Sequence, residues 1–206
     1  MRIRITFAKR GALRYTGHLD LHKLWERAAR RAQLPLAYSQ GFHPQPKMSL
    51  AAALPLGFSS QCEVLDMRLE REVALDGLPE RLNETLPTGI QVSHVEQVDE
   101  REPALQTQVV SAEYCIRLKE TDPGADLKRK VESVLQTGSI PRERRGKAYD
   151  LRPLIESMQA QDDTITMQLA AREGATGRPE EVLAELGIAF EDTTIERTQL
   201  IFKKNS

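Results

Sequence analysis

Phe42, His43 and Lys47 stand in the least ordinary stretch of the chain. Residues 36–57 read Leu-Ala-Tyr-Ser-Gln-Gly-Phe-His-Pro-Gln-Pro-Lys-Met-Ser-Leu-Ala-Ala-Ala-Leu-Pro-Leu-Gly. Gly41, Pro44 and Pro46 make a bent loop that cannot continue a helix. Around its tip are an aromatic ring, an imidazole and the phenol of Tyr38, and Lys47 adds a cation. Such groups suit recognition: a ring stacks an unpaired base and a cation holds a phosphate. The plainer reading is a connection stiffened by its prolines, with Phe42 plugging the core. Imidazole titrates near neutral pH, so His43 or His18 near Lys47 also has the chemistry of a general acid–base. A metal-independent RNA-cleaving enzyme would use them in that way. His18 and His22, four apart on one helix, have a metal-ligand spacing, with only His43, Asp20 or Glu26 to complete a set. The chain has no phosphate-cradling Gly loop of the nucleotide-binding kind and no nucleophile elbow.

These groups need elements to place them. Arg2 to Phe7 alternates strictly, which predicts a half-buried strand with Ile3, Ile5 and Phe7 inward and Arg2, Arg4 and Thr6 on the other face. A helix is expected over 18–33, with Leu21, Leu24, Trp25, Ala28 and Ala32 on one stripe. Lys23, Arg27, Arg30 and Arg31 share its other side, either as a solvated face or as a binding one. Strands are expected at 48–56, 62–69 and 90–98. A second helix is expected from Leu75 to Leu86, with Asp76 as cap.

The order repeats in the second half. Strands are expected at 109–118, 148–155, 164–171 and 194–203. A helix opens at Thr121-Asp122-Pro123 and closes at Gly138, and a short one opens at Pro179. A basic loop, Arg142 to Lys147, precedes the second of these strands, as the Lys47 loop does in the first half. The fold class expected is α+β: two tandem ferredoxin-like (βαββαβ) units with antiparallel sheets, at 1–98 and 109–206, joined by a polar linker at 99–108. The central strands offer no aromatic on their outward faces, so base stacking on an open sheet is not expected.

Charge is segregated along the chain. Residues 1–60 carry 10 Lys or Arg against 2 acids, and residues 61–105 carry 4 against 11. A basic first third within a chain of net charge -1 suits either a local polyanion-binding surface or pairing between the two segments. No apolar run approaches a membrane span, and the start reads as a strand rather than a signal peptide. Cys62 and Cys115 read as reduced thiols. A cytoplasmic protein is expected.

Several runs carry a resemblance. They are Gly17-His18-Leu19-Asp20-Leu21, Leu24-Trp25-Glu26-Arg27-Ala28, Tyr38 to Lys47, Lys147-Ala148-Tyr149-Asp150-Leu151-Arg152-Pro153-Leu154, Arg178-Pro179-Glu180-Glu181 and Glu196-Arg197-Thr198. Together they resemble the bacterial radical-SAM-linked proteins, also described as the DUF2344 domain, a family of unestablished activity. The resemblance implies work beside a cobalamin-binding radical-SAM enzyme encoded separately. With two cysteines this chain cannot hold a three-Cys cluster itself, so it would serve as a recognition or docking partner with no cofactor of its own.

The expected function is a non-catalytic module for RNA or tRNA. Protein docking without RNA affinity, and RNA cleavage by His18 or His43, are the alternatives. The resemblance points to Tyr15, His18, Asp20, Gly41, Phe42, His43, Lys47, Lys147, Asp150, Arg152, Arg178 and Arg197. The charge pattern adds Lys23, Arg27, Arg30, Arg31 and Arg144, with Arg142 and Arg145 beside it.

Overall fold

A computed structural model of the chain describes residues 1–119 and 124–203. They form a mixed α+β structure with mostly antiparallel pairing and, among the described residues, five α-helices. The chain divides after Gln108 into two compact units.

The first unit opens with β1 (Arg2–Lys9), followed by a 3-10 turn and α1 (His18–Arg31). Next come β2 (Met48–Leu50), β3 (Ser59–Arg68), α2 (Leu78–Asn83), β4 (Ile90–Val98) and α3 (Leu105–Gln108). The strand order is β4-β1-β3-β2, antiparallel throughout. Ile3, Ile5 and Phe7 are completely buried, as their alternation predicts. They meet the apolar stripe of α1, where Trp25 packs edge-on to Phe7 with ring centroids 4.8 Å apart. Such a pair adds about 0.5–1.5 kcal/mol beyond the area it buries.

Three expectations in this unit are corrected. The strand expected at 48–56 stops at Leu50. Ala51 N still donates to Val64 O, but Pro55 lacks a donor and Gly57 turns at φ 87°, so the chain leaves the sheet. The second helix begins at Leu78 rather than Leu75, because Gly77 adopts φ 69° in front of it and no side chain caps it. The other face of β1 is not open. Arg2 is buried and donates to Asp66 and to the carbonyls of Glu102 and Pro103. Arg4 reaches Asp66 at 2.8 Å, and this hydrogen bond, with the Asp66 charge, raises its pKa against the opposing effect of burial. The polar segment 99–108 thus lies on the first unit, and its Leu105 is completely buried.

The second unit contains β5 (Val109–Leu118), α4 (Gly124–Gln136), β6 (Pro141–Arg144), β7 (Lys147–Asp150) and β8 (Ile155–Gln161). It continues with β9 (Thr164–Arg172), β10 (Ala175–Thr176), α5 (Pro179–Glu185) and β11 (Thr193–Phe202). Its main strands lie in the order β8-β9-β5-β11, again antiparallel. The helix start expected at Thr121-Asp122-Pro123 lies outside the described residues.

The strand expected at 148–155 is corrected. In its place β6 and β7 form a separate hairpin, a 3-10 turn at Arg152–Leu154 follows, and β8 begins at Ile155. Arg145 (φ 53°) and Gly146 (φ 74°) are the two central residues of the hairpin turn. Positive φ at both is the geometry whose twist matches the flanking strands. Pro153 then keeps β7 and β8 from merging.

Candidate functional site

The exposed side of α1 is built by helix periodicity. Leu21, Trp25, Ala28 and Ala29 turn inward, which leaves two flanks. On one flank Lys23, Arg27 and Arg31 recur every four residues and face a cleft of about 530 Å³. Asp20 also lines it, Leu24, Leu86 and Pro87 add apolar surface, and Thr16 and Thr85 complete it. Lys23, Arg27 and Arg31 are exposed and have no ion pair among the described residues.

The other flank is engaged. Arg30 donates to the Tyr38 hydroxyl at 2.9 Å and pairs with Glu26 at 2.8 Å. The Tyr38 hydroxyl, then the Glu26 charge, raise the Arg30 pKa. His22 Nε2 lies 3.4 Å from the Met48 carbonyl. Arg30 therefore braces the loop and does not join the free row.

That bracing, with the loop's own hydrogen bonds, closes the base of the 38–47 loop. Tyr38 and Pro46 form an antiparallel bridge, Ser39 N donates to Gln45 O at 2.8 Å, and Lys47 N donates to Ala37 O at 2.8 Å. Gly41 sits at φ 126°, and the tip, Gly41-Phe42-His43, stands in solvent. Phe42 is 101% exposed, so it does not plug the core. Lys47, also exposed, lines a different cavity of about 300 Å³ beside Arg2, Ser49 and Asp66.

Near the start of α1, Tyr15 is exposed and lies under the Arg14 guanidinium, 4.9 Å from ring centroid to Cζ. His18 opens the helix in solvent. Among the described residues no group of three or more His, Cys, Asp or Glu could hold a metal ion. No helix among them is long and apolar enough to cross a membrane.

In the second unit Arg142, Arg144, Arg152 and Arg178 have partners, whereas Arg145 and Lys147 are exposed with no ion pair among the described residues. Arg144 donates to both Glu181 oxygens at 2.7 Å and to the Tyr149 hydroxyl at 3.0 Å. Burial lowers its pKa, but the Glu181 hydrogen bond and charge outweigh that and raise it. Burial, then Glu181, also raises the Tyr149 hydroxyl. Arg142 pairs with Glu185 at 2.5 Å. Arg152 spans the carbonyls of Leu135 at 2.7 Å and Ile155 at 3.0 Å.

Asp150 accepts from the N–H groups of Ile140 at 2.7 Å and Arg152 at 3.0 Å, and these two bonds hold its carboxyl below the ordinary range. Arg178 lies 3.7 Å from Glu180, and Arg197 is buried with interaction partners. Lys147 is exposed and lines a cavity of about 350 Å³ with Tyr149 and Leu154.

The structure thus gathers Asp20, Lys23, Arg27 and Arg31 at one cleft and sets Gly41, Phe42 and His43 together at one loop tip. It does not make the Lys47 and Lys147 loops alike: one is a closed-base loop, the other a two-residue turn. Sequence reasoning missed the apolar lining from Leu86 and Pro87. Leu86 is expected on the apolar stripe of the second helix and Pro87 at its end, whereas the helix stops at Asn83 and leaves both beside the cleft. It also missed Glu181, whose place in an expected helix gave no hint of Arg144.

The fold and site define a mixed α+β protein with a basic cleft whose cations are unpaired among the described residues. The chain belongs to the family described as uncharacterized protein conserved in bacteria (DUF2344), whose model matches residues 2–179. No curated protein matches the chain.

Proposed function

We propose that this chain is a cytoplasmic, non-catalytic RNA-recognition module, suited to a structured RNA such as tRNA. Its partner would be a separately encoded, cobalamin-binding radical-SAM enzyme, as the resemblance implies. The observation that carries the RNA reading is the row Lys23, Arg27 and Arg31, which has no ion pair among the described residues while Arg2, Arg4, Arg142 and Arg144 are paired. Free cations release counterions when they meet phosphates, and paired ones must first give up a partner. Phe42 and His43 add a stacking tip on a braced loop. His18 and His43 are both exposed, with no hydrogen-bond partner among the described residues to orient them, which favours binding over cutting.

Both units have their first strand flanked by the third and fourth, with the second at the edge. That order supports reading each as a ferredoxin-like unit. In the first unit the covered face of β1 leaves recognition to the helix and loop.

The test is binding of the purified chain to bulk tRNA across a salt series, with the RNA then run on a denaturing gel. Three phosphate contacts predict an affinity loss of about 20- to 40-fold between 50 and 200 mM salt. The triple variant K23E/R27E/R31E should lose that binding. Unchanged binding by the variant would sink the surface assignment. Cut RNA would make His18 and His43 the residues to mutate. Intact RNA with no binding would turn attention to protein docking, which the fully exposed Phe42 favours next.

A further inference from the structure

The cleft beside α1 has an order of charge along its length. Along α1 the lining residues run Asp20, Lys23, Arg27 and Arg31. At 1.5 Å per residue the sign passes from negative to doubly positive over about 16 Å. The lining also has apolar surface, with Leu24 half-buried and Pro87 exposed. The Thr85 hydroxyl already donates to Leu82 O at 2.8 Å. The polar chemistry on offer is therefore three cations, one acceptor carboxylate and the hydroxyl oxygens of Thr16 and Thr85. The volume, about 530 Å³, falls within the range of small-molecule pockets, roughly 300–1,000 Å³.

We infer that this cleft takes a nucleotide by its phosphate monoester. The phosphate oxygens accept from the guanidinium groups of Arg27 and Arg31. The flat base lies on Leu24 and Pro87, and Asp20 accepts from a sugar hydroxyl or a base amine. An internal phosphodiester carries one negative charge and its strand continues both ways. A monoester carries nearly two at neutral pH and ends there. Two adjacent guanidiniums with no ion pair among the described residues suit the monoester, because the bidentate fork of Arg matches phosphate oxygens and the extra charge offsets their mutual repulsion.

This rests on the RNA reading and narrows it to an RNA end. Two sources share the chemistry: the 5′ end of an RNA and a free mononucleotide.

The experiment uses the full chain and a short labelled RNA, with and without its 5′ phosphate, followed by fluorescence anisotropy. Adenosine monophosphate is titrated separately by calorimetry. The phosphorylated RNA should bind about ten-fold tighter, and R27A/R31A should bring the two RNAs to the same affinity. Equal affinity of the unaltered chain for both RNAs overturns this inference and leaves the RNA reading standing. Binding of the mononucleotide without either RNA overturns the RNA reading, and with it the RNA end, and leaves a free mononucleotide as the occupant of the cleft. Binding of none overturns both.

Discussion

As strings of charge, the α1 flank in the first unit and the β6–β7 hairpin in the other are similar, yet their cations differ in state. Along α1, Lys23, Arg27 and Arg31 face a cleft and have no ion pair among the described residues. On the hairpin Arg142 and Arg144 each end on a glutamate of α5, while Arg145 and Lys147 at its turn are exposed. Arg152, in the 3-10 turn that follows, ends on two main-chain carbonyls. A basic run keeps its cations unpaired only where the fold withholds the acids. In the hairpin the same residue type does structural work: it ties a two-stranded ribbon to a helix.

Swapping the tests between the two regions breaks or sharpens this contrast. The largest stability effect is expected at Arg152. Arg152→Ala strips its donors from Leu135 O and Ile155 O and should lower unfolding stability by about 1–3 kcal/mol in urea titration, with RNA affinity unchanged. Arg144→Ala should remove about 0–1 kcal/mol, again with no change in RNA binding, because its pair is partly exposed. A fall in RNA affinity for either variant would place the hairpin in the interface and end the contrast.

Arg27→Ala should move stability by no more than about 0.5 kcal/mol while weakening RNA binding, since the residue has no ion-pair partner to lose among the described residues.

The smallest effect is in acid. The folded-state carboxyl of Asp150 titrates below its unfolded value, so the stability it contributes is fully present above the ordinary carboxylate range. That stability is lost as pH falls through its lowered folded value. Asp150→Asn should flatten that part of the stability–pH curve. An unaltered curve would show that the Ile140 and Arg152 N–H groups do not discriminate charge at that carboxyl.

Much of the frame was legible in local pattern. Ile3, Ile5 and Phe7 alternate, and they are buried. Leu21, Trp25, Ala28 and Ala32 fall on the expected helical stripe and are buried, while Leu24, expected with them, is half-buried. Periods of two and 3.6 are local properties, so they survive reading one residue after another. The strand at 48–56 was misjudged because an apolar run signals burial without saying whether the backbone stays paired. Pro55 and Gly57 decided that. The strand at 148–155 was misjudged because Arg145-Gly146 reads as generic loop, while only positive φ at both residues makes it a two-residue turn.

The candidate site divides the same way. The exposure of Phe42 could not be read from its type, since an aromatic serves a core as readily as a loop tip. Tyr38, held by Glu26 and Arg30, closes the base that sends Phe42 outward.

Residue type and near spacing were enough for the strictly patterned elements, such as β1 and α1, and for the basic character of the first third. Only the tertiary structure decided which cations are free. Pairing depends on where distant acids arrive: Asp66 against Arg2 and Arg4, and Glu181 against Arg144. Such separations, of 37 to 64 residues, carry no periodic signal along the chain.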